Sequence, residues 1–176
     1  CASLGYLDWY TYADLDGNTA VTTIGIDIAS SLGVICVNSA GNEGDDPWYY
    51  IITPADADSV ISVGAVLQSG IIASFSSHGP TFDGRIKPEV CALGVSTYCV
   101  RSNTQNDYRT ASGTSFSAPL VAGAAAVILS ANSSWTNMLV REALMMTASQ
   151  YSSPDNTYGY GIINTWEAIN YQTTVS

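Results

Sequence analysis

A serine lies at the junction between a polar turn and a long apolar segment. Residues 113–119 read Gly-Thr-Ser-Phe-Ser-Ala-Pro, and residues 120–129 contain only apolar residues and glycine. This pattern predicts a buried helix with Ser115 in its first turn, where unpaired backbone N–H groups and the positive end of the helix dipole stabilise negative charge. Ser115 is therefore a candidate nucleophile for acyl transfer. The alternative is a serine that only caps the helix.

A serine nucleophile needs a general base, and the sequence contains a single histidine. His78 lies in Ser76-Ser77-His78-Gly79-Pro80, which is a turn sequence. We interpret His78 as a surface turn residue and not as the base. The sequence by itself therefore shows no recognisable base for Ser115.

The charge pattern argues against nucleic acid as a partner. Five basic residues stand against fifteen acidic ones, for a formal net charge of −10. The basic residues are scattered, whereas phosphate binding requires a cluster. The longest apolar run, Ala118–Leu129, is shorter than the roughly 20 residues that span a bilayer, so we interpret it as a core helix and expect no membrane partner. No secretion-signal pattern follows Cys1, as expected of a mature product or a fragment.

Neither the cysteines nor the carboxylates show a metal-ligand spacing. The four cysteines form no Cys-x-x-Cys pair, so the sequence predicts no zinc site. Cys91 and Cys99 are close enough in sequence to bridge across a hairpin, or they are two free thiols; both readings stay open. The segment Asp14-Leu15-Asp16-Gly17-Asn18 departs from the calcium-loop pattern in the position of its glycine, so we predict a capping and turn role for it.

The elements that must position Ser115 follow an alternating pattern. Helical spacing of apolar residues over Thr19–Ser31 ends at Gly33, and buried strands are predicted over Val34–Val37 and Val60–Val66. A helix followed by a buried strand is typical of a parallel sheet with helices on both faces, which makes the fold class α/β. The intervening Asn38–Ser59 is long and rich in Asp, Gly and Pro, and is a candidate functional loop.

The second half of the chain is predicted to change from strands to helices. Short irregular strands and hairpins are expected between Ile71 and Ala111. Helices are predicted over Thr114–Ala131 and Thr136–Ala148, and a last one over Asn164–Asn170 with Asn164 as its N-cap.

Several segments together resemble the subtilisin-like serine proteases, or subtilases. Residues 113–123 resemble the family's nucleophile motif. The other similar segments precede it in this chain and stand in the family's order. They are Ser3-Leu4-Gly5, the strand that pairs with substrate; Ser39-Ala40-Gly41-Asn42-Glu43-Gly44, the oxyanion loop; Ala73–Pro80, a further family turn; and Lys87-Pro88-Glu89-Val90 with Gly94-Val95, the segment before the nucleophile.

The resemblance implies a role for each of these residues. Ser115 would be the nucleophile, Asn42 and the Ser115 amide would form the oxyanion hole, and Thr114 would support that hole through its hydroxyl. The triplets Ser3-Leu4-Gly5 and Ser39-Ala40-Gly41 would form the two walls of the pocket for the residue before the cleaved bond. The substrate would be a protein or peptide. No cofactor is required, although structural calcium with unassigned ligands would fit the family.

The resemblance covers only part of the family's catalytic domain. Subtilases order their triad as Asp, His, Ser along the chain, and neither the Asp motif nor the His-Gly-Thr motif occurs in this sequence. His78 follows the substrate strand, whereas the family's histidine precedes it. Residues 1–176 are thus interpreted as the C-terminal half of a three-layer α/β domain whose mostly parallel sheet carries helices on both faces.

Three consequences follow for function. The chain alone should be inactive. We expect a partner that supplies Asp and His, either the N-terminal half of the same domain or a second chain; the alternative is that the chain self-associates. The rival hypothesis is an inert subtilase-fold module that binds peptides or serves as a scaffold. Secretion, or location in the periplasm, is implied by the family alone.

Overall fold

The computed structural model describes residues 1–172 and begins with a short 3₁₀ turn, Tyr12–Asp14. The last four residues of the predicted domain lie outside the described part. The remaining elements, in chain order, are α1 Val21–Ser31, β1 Val37–Ser39, β2 Ile61–Val66, β3 Val90–Leu93, β4 Thr97–Val100, β5 Tyr108–Ala111, α2 Thr114–Ala131, α3 Asn137–Met146 and α4 Thr165–Ile169.

The central sheet is parallel and has the order β1-β2-β3. Every residue of β2 is buried, as expected of a strand in the middle of a parallel sheet. Ala2 extends the sheet beyond β1, because its N–H donates to Val37 O and its carbonyl accepts from Ser39 N. Strands β4 and β5 form a separate antiparallel hairpin. The α/β class with a mostly parallel sheet is therefore confirmed. The residues that precede Gly5 lie next to β1.

Helix α2 is the main cover of one sheet face. It packs against all three parallel strands and against α3 and α4. Its inward face combines small and branched apolar residues, of which Val121, Ala125 and Ile128 are almost fully buried. Within the described residues α2 is also the one helix long and apolar enough to cross a membrane. Its packing on the sheet identifies it as a core helix, which passes the same test of length and composition.

The predicted boundaries differ from the structure mainly before the first strand. The strand expected over Val34–Val37 is wrong: Val34 is exposed, and β1 covers Val37–Ser39. Gly33 ends α1 at a φ of 90°, and Val34 N still bonds back to Ala29 O, so the chain reaches the sheet three residues later than predicted. Helix α1 likewise begins at Val21 and not at Thr19.

The predictions for the second half are closer. Helix α2 has the predicted bounds. Helix α3 ends two residues early, at Met146, with Thr136 as the N-cap that accepts from Leu139 N. Asn164 caps the last helix by accepting from Glu167 N.

The acidic and cysteine-containing segments take structural roles. The carboxylate of Asp16 accepts from the N–H groups of Asn18 and Thr19 and from the Thr19 hydroxyl, which is the predicted turn role. All four cysteines are free thiols, which leaves Cys91 and Cys99 unbridged. Cys91 is fully buried in β3, and burial raises the pKa of its thiol.

Three charged side chains form a buried charge cluster beneath the segment that precedes β2. Lys87 Nζ lies 2.7 Å from Glu89 Oε1 and donates to Ala57 O, while Arg141 donates to the same carboxylate at 2.8 Å and to Val60 O. Burial lowers the pKa of Lys87, and the charge of Glu89 opposes that shift. The cluster of Lys87, Glu89 and Arg141 therefore fixes the loop between the candidate site and β2.

Candidate active site

Ser115 lies in the first turn of α2, two residues after the N-cap Gly113. Gly113 has a φ of 143°, which favours glycine, and its N–H donates to Gly94 O at the end of β3. Thr114 N and Phe116 N have acceptors, whereas Ser115 N–H has none among the described residues. The Ser115 amide is therefore available to a ligand, as the orphan donors of a helix N-terminus are.

Pro119 links this turn to the N-terminal segment. It has no N–H with which to bond the carbonyl of Ser115, four residues earlier in the helix. That carbonyl instead accepts a hydrogen bond from the Ser3 hydroxyl at 3.2 Å. The Ser115 hydroxyl in turn lies 3.5 Å from Ser3 O, a long contact. The structure therefore brings the candidate nucleophile and the candidate substrate strand together.

Asn42 is held by Thr114, the residue next to Ser115. Its Oδ1 accepts from Thr114 N at 2.8 Å and from Thr114 Oγ1 at 2.9 Å. Since a backbone N–H can only donate, the oxygen of the amide must face Thr114 and the NH₂ must face away. The Nδ2 donates to no described residue, and Asn42 is exposed. The side chain thus presents a fixed, unoccupied donor.

The loop that carries Asn42 depends on Gly41 and on Ser77. Gly41 has a φ of 120°, and a Cβ there would lie 2.6 Å from Ser77 Oγ. Ser77 N donates to Gly41 O, and its hydroxyl accepts from Glu43 N at 3.0 Å. Sequence reasoning singled out the turn that contains Ser77 but gave it no role. In the structure this turn supports both sides of Asn42.

The electrostatic environment of the loop is acidic. Burial raises the pKa of Glu43, and the nearby carboxylates of Asp46 and Asp45 raise it further. Glu43 directly follows the fixed amide of Asn42.

The two predicted pocket walls are joined to one another through the sheet and through residues 52–53. Tyr6 N, next to Gly5, donates to Thr53 O, and Ile52 N donates to Ala40 O. Ser39, Ala40 and Gly41 are buried, whereas Leu4 is 69% exposed.

The backbone N–H groups of the first wall are free to pair. The N–H groups of Ser3, Leu4 and Gly5 have no acceptor among the described residues. An extended peptide could add to this segment as a strand, which is a common mode of peptide recognition.

His78 is not the surface turn residue that the sequence predicts. It is half-buried, its ring stacks on Tyr49 at a centroid distance of 4.5 Å, and its Nδ1 is buried without a partner among the described residues. Burial lowers its pKa, an effect that the backbone of Asn156 and, less strongly, the charge of Asp155 partly oppose. Its backbone pairs with Tyr49 and Ile51, and it makes no hydrogen bond to Ser115. His78 therefore packs against Tyr49, in the loop that follows Asn42.

The sequence is similar to that of one family of proteases. The subtilase family model (peptidase S8) matches residues 1–161. The chain is 42% identical over 149 residues to subtilisin E of Bacillus subtilis strain 168, covering 84% of this chain and 36% of that protein. It is 41% identical over 149 residues to a subtilisin of Bacillus pumilus (84% and 50% covered). It is 34% identical over 164 residues to the serine protease AprX of Bacillus subtilis strain 168 (82% and 37% covered).

A solved structure is similar in fold. The self-cleaved protease domain of PatA matches with a TM-score of 0.75 and 24% identity, over 96% of this chain and 59% of that chain. The chain spans between 36% and 50% of the length of the curated relatives named above.

Proposed function

This chain belongs to the subtilase family, and from that premise we propose that it is the nucleophile-bearing part of a serine endopeptidase. Its substrate is a protein or peptide, it acts outside the cytoplasm, and its chemistry needs no cofactor. The observation that supports the proposal most strongly is the pair of free donors beside Ser115: the Ser115 N–H and the Nδ2 of Asn42, whose oxygen is held by Thr114.

The proposed reaction is acyl transfer to water. Ser115 Oγ attacks the carbonyl carbon of the scissile bond while a histidine removes its proton, and the amine leaves with a proton from that histidine. The oxygen that becomes negative is stabilised by the two free donors, and water then releases the acyl group by the reverse path. Two donors that are already oriented favour the charged transition state more than the neutral substrate.

The histidine and the aspartate are proposed to come from a separate stretch of polypeptide. Support comes from apolar side chains that remain exposed along α1, at Val21, Ile24 and Ile28, and at Leu32, which follows the helix and is 80% exposed. Their spacing places them on one helical face. An apolar stripe of this kind is typical of a surface that another polypeptide covers. We use "assembled protease" for these residues together with the polypeptide that supplies the aspartate and histidine.

The test is hydrolysis of a peptide p-nitroanilide by the assembled protease and its variants. We expect Ser115→Ala to abolish turnover. Asn42→Ala should lower kcat by about 10²–10³, a magnitude that was established for the oxyanion asparagine of a subtilisin and is borrowed from it. Ser112→Ala removes an exposed hydroxyl that only accepts from Ser96 N, and should retain full turnover. Peptide binding without hydrolysis would contradict the proposal and favour the inert binding module.

A further inference from the structure

One side chain, that of Ile52, lies between the two pocket walls. A Cβ added to Gly5 would overlap Ile52 Cδ1 and Cγ1, and a Cβ added to Gly41 would lie 3.1 Å from Ile52 Cγ1. Gly5 ends the first wall and Gly41 ends the second. The same isoleucine therefore lies against the last residue of each wall, and each of these residues is a glycine.

The backbone around Ile52 fixes it in this position. Ile52 N donates to Ala40 O at 3.0 Å, and Thr53 O accepts from Tyr6 N at 3.0 Å. Its neighbours Ile51 and Thr53 are fully buried, whereas Ile52 is only partly buried. The segment is thus bonded to Ala40 in the second wall and to Tyr6 directly after the first wall, while Ile52 itself stays partly exposed.

We propose that Ile52 closes the inner part of the pocket for the residue before the scissile bond and restricts that residue to small side chains such as alanine. This inference rests on the proposed function, because the walls form a substrate pocket only if the chain is a protease. A large side chain would have to displace a branched residue that is already in van der Waals contact with both walls. Apolar pockets discriminate by about 10–200-fold for each methylene that fits or fails to fit.

The test compares kcat/KM of the assembled protease for peptide p-nitroanilides that differ only in the residue before the anilide. We expect the wild-type protein to prefer alanine to phenylalanine by at least about tenfold, the lower end of that range. Ile52→Ala should raise kcat/KM for phenylalanine relative to that for alanine by about tenfold or more. Ile52→Val removes only the Cδ1 methyl that faces Gly5, so it should give an intermediate ratio even if the alanine variant folds poorly.

A matched control is Ile71→Ala, which truncates an exposed isoleucine in the turn after β2 and should not change the ratio. The inference would be overturned if the wild type preferred phenylalanine, or if the alanine-to-phenylalanine ratio were the same in the wild type and both Ile52 variants. Turnover in the same assays would still support the proposed function. Absence of turnover for every substrate, with no labelling of Ser115 by a fluorophosphonate, would overturn the proposed function and this inference with it.

Discussion

Replacement of Thr114 by valine tests whether Asn42 acts as an oriented oxyanion donor. Thr114 is fully buried, and valine has nearly its shape, so the change removes a hydroxyl without leaving a large cavity. The hydroxyl lies 2.9 Å from Asn42 Oδ1 and 3.2 Å from Gly41 O. Because it carries one proton, it donates to one of these oxygens at a time.

The expected magnitude follows from the hydrogen bonds that remain. Without the hydroxyl, Asn42 Oδ1 still accepts from Thr114 N, and Gly41 O still accepts from Ser77 N. No buried acceptor is orphaned, so the cost is that of one neutral hydrogen bond, about 1 kcal/mol. If that energy is lost only from the transition state, kcat falls by about fivefold and KM stays unchanged.

The assay is steady-state hydrolysis of an alanine p-nitroanilide peptide by the assembled protease. Thr114→Ser keeps the hydroxyl and loses only a methyl group, and it should retain nearly full kcat. The reasoning would be refuted if Thr114→Val kept wild-type kcat, if its loss appeared in KM instead, or if the serine variant lost as much as the valine variant.

Three further predictions concern stability and assembly. Glu89→Leu leaves the two cations of the buried charge cluster without their counter-charge and should lower the free energy of unfolding by about 3–5 kcal/mol in urea melts; Asp83→Asn, at a surface pair, should cost no more than about 1 kcal/mol. Because burial lowers the pKa of His78, the unfolded chain binds a proton below about pH 6.5 that the folded chain does not. The free energy of unfolding should therefore fall between pH 7.5 and pH 5.5, and it should fall less in His78→Gln. An equal fall in the two proteins, measured by urea melts at each pH, would contradict this. The chain on its own should self-associate in sedimentation velocity, and Ile28→Lys with Leu32→Lys should reduce that association; a monomeric wild-type chain would contradict the assignment of this face.

The sequence predicts those parts of the fold that depend on neighbouring residues. The bounds of α2 follow from Gly113, the run of small apolar residues and a proline in its early turns, all of which act locally. The caps at Thr136 and Asn164 are likewise local, since each side chain bonds a backbone N–H three residues later. By contrast, the start of β1 depends on where the chain meets β2, which no residue between Val34 and Val37 encodes.

The candidate site depends more on contacts between distant residues. The bond between Asn42 and Thr114 joins residues 72 positions apart, and only the family resemblance pointed to both. Ser77 and Ile52 were not predicted, because their roles arise from packing against Gly5 and Gly41 and neither belongs to a motif with known chemistry. The burial of His78 was missed for the same reason, since it comes from stacking on Tyr49.

The most direct test of the central claim is an intact-mass measurement of the assembled protease after incubation with a fluorophosphonate. We predict that this chain gains one adduct, that peptide mapping places it on Ser115, and that Ser115→Ala gains none while Ser112→Ala is labelled as the wild type is. An assembled protease whose chain stays unlabelled, or whose Ser115→Ala variant is labelled equally, would contradict the assignment of Ser115 as the nucleophile.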